Sequence, residues 1–147
     1  MQGTILGFSI MGLLFSGYLG GHKLFSGTCA FNESCPIFLG YPACYFGFAM
    51  YVALTIAAVA LVRSGGTSRC AYRALALVSF LGVLFAGRYT IWELPVFFQR
   101  GFSAYIFGLP LCAVGLIFYT VIIILTLVSW RRSSKLVAAA VPLATEE

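Results

Sequence analysis

Long runs of apolar residues without a single charge constrain this chain more than any other feature. One such run, Ala104–Trp130, exceeds the roughly 20 residues that a helix needs to cross the hydrocarbon core of a bilayer. The chain of 147 residues is 61% hydrophobic and 9% charged, with a mean hydropathy of +1.00. Water-soluble globular domains contain far more charged residues. The sequence therefore predicts an integral membrane protein that contacts the lipid bilayer.

Four apolar spans are separated by polar or basic residues, and they are about Thr4–Gly21, Leu39–Val62, Ala74–Trp92 and Ala104–Trp130. Their continuous apolar character favours helices over the alternating strands of a membrane β-barrel. Because no Lys or Arg precedes the first span, we expect a retained helix rather than a cleaved signal peptide. The sequence predicts an all-α integral membrane protein, a bundle of four transmembrane helices. Residues 1–132 form its single domain, and residues 133–147 form a flexible cytoplasmic tail.

The basic residues are distributed unequally between the two sides of the membrane. Six of them lie between the second and third spans or after the fourth: Arg63, Arg69, Arg73, Arg131, Arg132 and Lys135. The positive-inside rule predicts a multi-pass protein of the cytoplasmic (inner) membrane, with both termini in the cytoplasm. The loops around Cys29–Cys35 and Arg88–Ser103 then lie outside. Scattered basic residues do not form a phosphate-binding stripe, so no nucleic-acid partner is predicted.

The chain contains an internal repeat. The segment Gly40-Tyr41-Pro42-Ala43-Cys44 aligns with Gly108-Leu109-Pro110-Leu111-Cys112, and both copies continue as G-x-P-x-C-x-x-G-x-x-x-Y to Tyr51 and Tyr119. The repeat predicts two duplicated two-helix units, about residues 4–62 and 74–130. Each unit crosses the membrane twice, so a pseudo-two-fold axis along the membrane normal should relate them.

Small residues align in the first and third spans as well. Gly12-x-x-x-Ser16 corresponds to Gly82-x-x-x-Ala86. Small residues separated by three others allow two helix backbones to approach closely in a membrane. We therefore expect the first and third spans to contact each other at these residues.

Two cysteines lie in the first outer loop. Cys29 and Cys35 are separated by five residues in a turn-prone stretch, outside the compartment that keeps thiols reduced. We expect a disulfide between them. It either stabilises the loop or exchanges with a partner protein and passes electrons towards the membrane.

Two other cysteines occupy equivalent positions in the two repeats. Cys44 and Cys112 each fall in the first turn of a span, after a proline suited to the first helical position. The positive end of a helix stabilises a thiolate and increases its nucleophilicity. The alternative is packing, since a buried cysteine behaves as a small apolar residue. Without a C-x-x-C pair or paired histidines, no metal site is predicted.

The stretch Cys29–Tyr51 combines two loop cysteines with a Gly-x-Pro-x-x-x-x-Gly-x-x-x-Tyr segment that opens a helix. It resembles the vitamin K epoxide reductase family, which consists of four-helix membrane bundles around a quinone. The resemblance implies a quinone cofactor, a relay role for Cys29 and Cys35, and thioredoxin-like partners on the outer side. The helical Cys-x-x-Cys of that family is absent, and Cys44 with Cys112 would have to supply the second dithiol.

Two functions follow from these observations. The first is a quinone-linked thiol–disulfide oxidoreductase whose outward-facing catalytic cysteines are Cys29, Cys35, Cys44 and Cys112. The second is a non-catalytic membrane scaffold, or a small transporter component, whose loop disulfide is structural. Of the scaffold and the transporter component, the transporter is less well supported. Substrate paths through a membrane usually need buried charged groups, and the apolar spans contain few ionisable residues.

Overall fold

The computed structural model describes residues 1–26, 37–100 and 111–140 of the chain. These residues form helices α1 (Gln2–Ser26), α2 (Ala43–Arg63), α3 (Arg69–Arg100) and α4 (Leu111–Ala140), and strands β1 (Ile37–Phe38) and β2 (Tyr41–Pro42). Each helix contains a segment long and apolar enough to cross a membrane: Gln2–His22, Ala43–Arg63, Arg69–Pro95 and Cys112–Ser134. The predicted all-α bundle of four membrane-spanning helices is confirmed.

The four helices form a ring in chain order. The most extensive contacts are those of α1 with α2 and of α3 with α4, and the α2–α3 and α4–α1 contacts close the ring. Consecutive membrane-spanning helices run antiparallel when a short connection joins them, as the connection between α2 and α3 does. The hydrogen bond from Ser133, towards the end of α4, to Gly66, just after α2, brings the same ends of these two helices together. Helices α2 and α4 therefore run parallel, and they lie diagonally across the bundle axis.

One series of buried positions on each helix recurs at alternating steps of three and four residues. On α1 and α3 they are Ile5, Ser9, Gly12 and Ser16, and Leu75, Ser79, Gly82 and Ala86. On α2 and α4 they are Tyr51, Leu54, Ala58 and Leu61, and Tyr119, Ile122, Thr126 and Ser129. This spacing is that of the inner positions of a coiled-coil bundle. This series in one half corresponds to that in the other in the alignment of the repeats, while a duplication of the sequence itself stays a prediction.

Two of the predicted element ends are different in the structure. The expectation of an outer loop over Arg88–Ser103 is wrong for residues 88–100, because α3 continues to Arg100. A charged residue can end the part of a helix that crosses the membrane without interrupting backbone hydrogen bonds. Pro95, inside the helix, removes one amide donor without ending α3. Similarly, α4 continues to Ala140, so the expected tail is helical over its first residues.

A tight hairpin precedes α2 at the end of the bundle that carries Cys44 and Cys112. Its turn residues Leu39 and Gly40 have φ angles of 52° and 84°, as in the type I′ turns that favour two-residue hairpins. The ring of Phe38 contacts the rings of Phe46 on α2 and Phe85 on α3, with centroid distances of 5.1 and 5.4 Å. These aromatic contacts hold the hairpin against two helices and thereby orient the start of α2.

Hydrogen bonds organise the connection at the opposite end of the bundle. The Gly66 amide donates to the carbonyl of Leu61 (2.9 Å), which ends α2. The Ser68 hydroxyl accepts from the Ala71 amide (3.3 Å) and caps α3. The Ser133 hydroxyl donates to the Gly66 carbonyl (3.1 Å), so α4 contacts the connection between α2 and α3.

Candidate functional site

Two tyrosines meet on the bundle axis. The rings of Tyr51 on α2 and Tyr119 on α4 stack, with centroids 4.5 Å apart and an angle of 16° between their planes. Their exposed fractions are 3% and 2%. The two rings therefore fill the space between the diagonal helices.

The hydroxyls of the same two tyrosines cross to the opposite helix. Tyr51 Oη donates to the Gly115 carbonyl and Tyr119 Oη donates to the Gly47 carbonyl, each over 3.3 Å. A helical carbonyl has a second lone pair for such a donor, and a glycine has no side chain to obstruct it. Because Gly47 and Gly115 are equivalent in the repeat, the two bonds are reciprocal and link α2 to α4 twice.

Glycines on the other two helices make room for the tyrosine rings. A Cβ atom added at Gly12 would overlap the ring of Tyr51, and one added at Gly82 would overlap the ring of Tyr119. The expectation that these glycines bring α1 against α3 is therefore wrong, since each receives a ring from its own hairpin. A glycine indicates that bulk is missing, but it does not indicate what occupies the space.

Cys44 and Cys112 lie in the first turns of α2 and α4, as the repeat predicted. Each precedes its glycine, Gly47 or Gly115, by three residues, which is about 4.5 Å along a helix. Both cysteines are partly buried. They lie at the same end of the bundle, across its axis from one another, one turn beyond the reciprocal hydrogen bonds. Pro42 precedes α2 as its N-cap rather than as its first helical residue.

The predicted redox residues are only partly within the described structure. Cys29 and Cys35 lie outside the described residues, so their disulfide stays a prediction. Over residues 1–26, 37–100 and 111–140, no disulfide joins any of Cys44, Cys70 and Cys112. Cys70 is exposed near the start of α3, at the opposite end of the bundle. In the same part of the chain, no three His, Cys, Asp or Glu side chains come together as metal ligands would.

Sequence reasoning assigned no role to Tyr51 and Tyr119, although both belong to the repeated motif. The available signal was a tyrosine four residues after a glycine in each copy, a spacing that puts both residues on one helix face. What the sequence could not show was that each hydroxyl reaches the glycine of the other copy. Both belong to the candidate site because they set the separation of the helices that carry Cys44 and Cys112.

Comparisons with protein-family models, with curated proteins and with solved structures find no match to this chain.

Proposed function

We propose that the chain is a membrane thiol–disulfide oxidoreductase that uses a quinone. In this proposal Cys29 and Cys35 exchange with a thioredoxin-like partner on the outer side. Cys44 and Cys112 then carry the electrons to the quinone. The observation that supports it best is the position of Cys44 and Cys112 at one end of two helices that the tyrosine pair links.

The helix geometry gives both thiols a similar environment. Each is partly buried in the first turn of its helix. Cys44 and Cys112 occupy equivalent positions relative to the reciprocal hydrogen bonds of Tyr51 and Tyr119. A shared dithiol requires the two thiols to approach each other, and both cysteines lie in the first turns of their helices at the same end of the bundle.

The electrons balance over one cycle. Two thiols of the partner become a disulfide and reduce the Cys29–Cys35 disulfide to two thiols. These thiols reduce a Cys44–Cys112 disulfide, and the quinone reoxidises the resulting dithiol. That last step transfers two electrons and two protons to the quinone, which becomes a quinol. The net reaction oxidises one partner dithiol and reduces one quinone.

The test is site-resolved alkylation of the cysteines in intact membranes, with and without a mild dithiol and a water-soluble quinone. We expect the quinone to protect Cys44 and Cys112 together and to produce a peptide crosslinked between them. A disulfide requires Cα atoms within about 7 Å, so this crosslink also measures the approach of the two first turns.

Single substitutions provide the control for this experiment. Cys44→Ser should leave Cys112 alkylated whether or not the quinone is present, and Cys112→Ser should do the same for Cys44. Cys70→Ser should change nothing, because Cys70 lies at the other end of the bundle. A Cys29–Cys35 bond that resists the dithiol, together with helix thiols that the quinone does not protect, would refute the redox function.

A specific observation favours a second function, a non-catalytic membrane scaffold. The contacts of Gly12 with Tyr51 and of Gly82 with Tyr119 explain part of the repeated pattern by packing alone. If the chain is a scaffold, replacing both Cys44 and Cys112 by Ala should preserve the partners that copurify with it. If it is an oxidoreductase, the same double variant should lose quinone-dependent thiol oxidation.

We also propose that the bundle lies in the cytoplasmic membrane with both termini in the cytoplasm. The accessibility of the exposed Cys70 measures this orientation, because Cys70 belongs to the end that carries the basic residues. A membrane-impermeant maleimide should modify Cys70 only after the cells are permeabilised. Modification of Cys70 in intact cells would reverse the orientation.

A further inference from the structure

One end of the bundle carries positive charge that no nearby helix neutralises. Exposed arginines cluster there, and they are Arg63, Arg69, Arg73, Arg131 and Arg132. Helices α2 and α4 contain no Asp or Glu, and the only acidic residue of α3, Glu93, lies near its other end. Among the described helices, this end therefore lacks carboxylates for its guanidinium groups.

A shallow groove runs along α4 at this end. It is lined by Leu127, Trp130, Arg131 and Ser134. Their spacing of three, one and three residues puts all four on one face of the helix, over a length of about 10 Å. Leu127 is 42% exposed, and Arg131 and Ser134 are also exposed.

The groove lies at the end of a candidate membrane span. By length and composition this span of α4 ends at Ser134, so a bilayer that covers it puts acyl chains at the level of Leu127 and headgroups at the level of Ser134. Tryptophan is typical of the boundary between these layers. Along the helix, the aliphatic and aromatic side chains come first and the cationic and hydroxyl side chains follow. A phospholipid has its acyl chain, glycerol and phosphate in the same order.

The Trp130 ring, which lines the groove, packs against a buried residue of α3. The ring of Trp130 stacks on Tyr72 of α3, with centroids 6.1 Å apart and an angle of 11° between the planes. Tyr72 is 2% exposed, so it belongs to the core and gives the indole a rigid support. A supported indole beside a guanidinium is a more defined surface than a mobile arginine alone.

We propose that this groove binds the headgroup of an anionic phospholipid. Arg131 and Ser134 contact its phosphate, and Trp130 and Leu127 contact its glycerol and upper acyl chain. Charge complementarity selects the occupant, because the cationic end has no carboxylates nearby on its helices and borders the lipid. A zwitterionic lipid would bring its own cation to the same surface and bind less well.

The test uses Trp130 as the reporter. The chain has two tryptophans, so Trp92→Phe leaves Trp130 as the sole tryptophan in the full-length protein. This variant is reconstituted in phosphatidylcholine bilayers that contain either brominated phosphatidylglycerol or brominated phosphatidylcholine. We expect brominated phosphatidylglycerol to quench Trp130 at several-fold lower mole fraction.

Matched variants separate a local contact from general attraction to a basic surface. Arg131→Gln should reduce the preference for phosphatidylglycerol by more than the roughly fivefold change that general attraction predicts for the loss of one cationic side chain near the surface. Arg132→Gln removes the same charge one residue away, outside the groove, and should reduce the preference by about fivefold at most. Equal losses in the two variants, or no preference in the parent protein, would overturn the proposal.

Two additional measurements control for misfolding and for the binding of small anions. If Arg131→Gln alters the circular dichroism spectrum, Arg131→Lys takes its place and should retain most of the preference, because it keeps the charge. Soluble glycerol phosphate at millimolar concentration should not relieve the quenching by the lipid. Relief by glycerol phosphate would identify a site for small anions and would overturn the lipid as its occupant.

Discussion

The two hairpins of the bundle, α1–α2 and α3–α4, have the same central contact but differ in the polarity of their buried residues. After its tyrosine, α2 buries Leu54, Ala58 and Leu61, whereas α4 buries Ile122, Thr126 and Ser129. The positions correspond although the side chains do not. The difference shows that the shape of this bundle depends on which positions are buried, whereas the chemistry of those positions can vary between halves.

The two hairpins also differ in how well their buried hydroxyls are hydrogen-bonded. Ser9 and Ser79 are equivalent in the repeat, and both are fully buried. The Ser9 hydroxyl donates to the carbonyl of Ile5 over 2.8 Å. Within the described ranges, the hydroxyls of Ser79, Thr126 and Ser129 are buried without a hydrogen-bond partner. The second hairpin thus combines the geometry of the first with a less satisfied interior.

Removing either tyrosine ring should have the largest effect on stability. Tyr51→Ala and Tyr119→Ala each leave a cavity beside a glycine that has no side chain to fill it. We expect each to lower the free energy of unfolding by about 3–5 kcal/mol, as for other buried aromatic residues. Reversible unfolding in mixed detergent micelles measures this change in the free energy of unfolding. A large loss for one tyrosine and a negligible loss for the other would break the equivalence of the hairpins.

Adding a methyl group at the central glycines should have the next largest effect. Gly12→Ala and Gly82→Ala force a Cβ into a tyrosine ring, and overpacking of this kind costs about 1–3 kcal/mol. The control is Gly7→Ala, which meets nothing within 4 Å. The same unfolding assay applies.

A double-mutant cycle sharpens this prediction. The cost of Gly12→Ala should vanish in the Tyr51→Ala background, where the ring is gone, and should persist in the Tyr119→Ala background. The reverse should hold for Gly82→Ala. Costs that are additive in all four combinations would mean that the glycines act through something other than these rings.

The buried hydroxyls test the difference in polarity between the hairpins. Thr126→Val keeps the shape and removes a buried hydroxyl that makes no hydrogen bond within the described ranges, so it should raise the free energy of unfolding by about 1 kcal/mol. Ser79→Ala should be neutral or stabilising for the same reason. Ser9→Ala removes a hydrogen bond that is formed and should destabilise the bundle instead. If Ser9→Ala and Ser79→Ala behaved alike, the proposed difference between the hairpins would be wrong.

The smallest effect belongs to the hydroxyls of the tyrosine pair. Tyr51→Phe and Tyr119→Phe keep the stacked rings and each remove one bond between α2 and α4. We expect each to cost about 0.6 kcal/mol, the average for hydrogen bonds between helices in a membrane. Comparison with the alanine variants at the same positions separates the contribution of the hydroxyl from that of the ring.

The apolar pattern of the chain was enough to predict four membrane-spanning helices. A bilayer requires about 20 apolar residues per span and backbone hydrogen bonds within each span, so a run such as Ala104–Trp130 has few alternatives. The repeat likewise put Cys44 and Cys112 in the first turns of their helices, because a Gly-x-Pro segment before an apolar run favours a helix start. Helix ends beyond the membrane were not determined, and α3 continues through Arg88 and Pro95 to Arg100.

The contacts of the repeated glycines and tyrosines could not be predicted from the pattern and depend on how the helices pack. Gly12 could have received a helix backbone, as expected from its spacing with Ser16, or a ring, because the absence of a side chain is compatible with both. It receives the ring of Tyr51, whose hydroxyl reaches Gly115 of the other half. These contacts depend on the diagonal arrangement of α2 and α4. That arrangement follows from how four helices pack together, and no single helix contains the information for it.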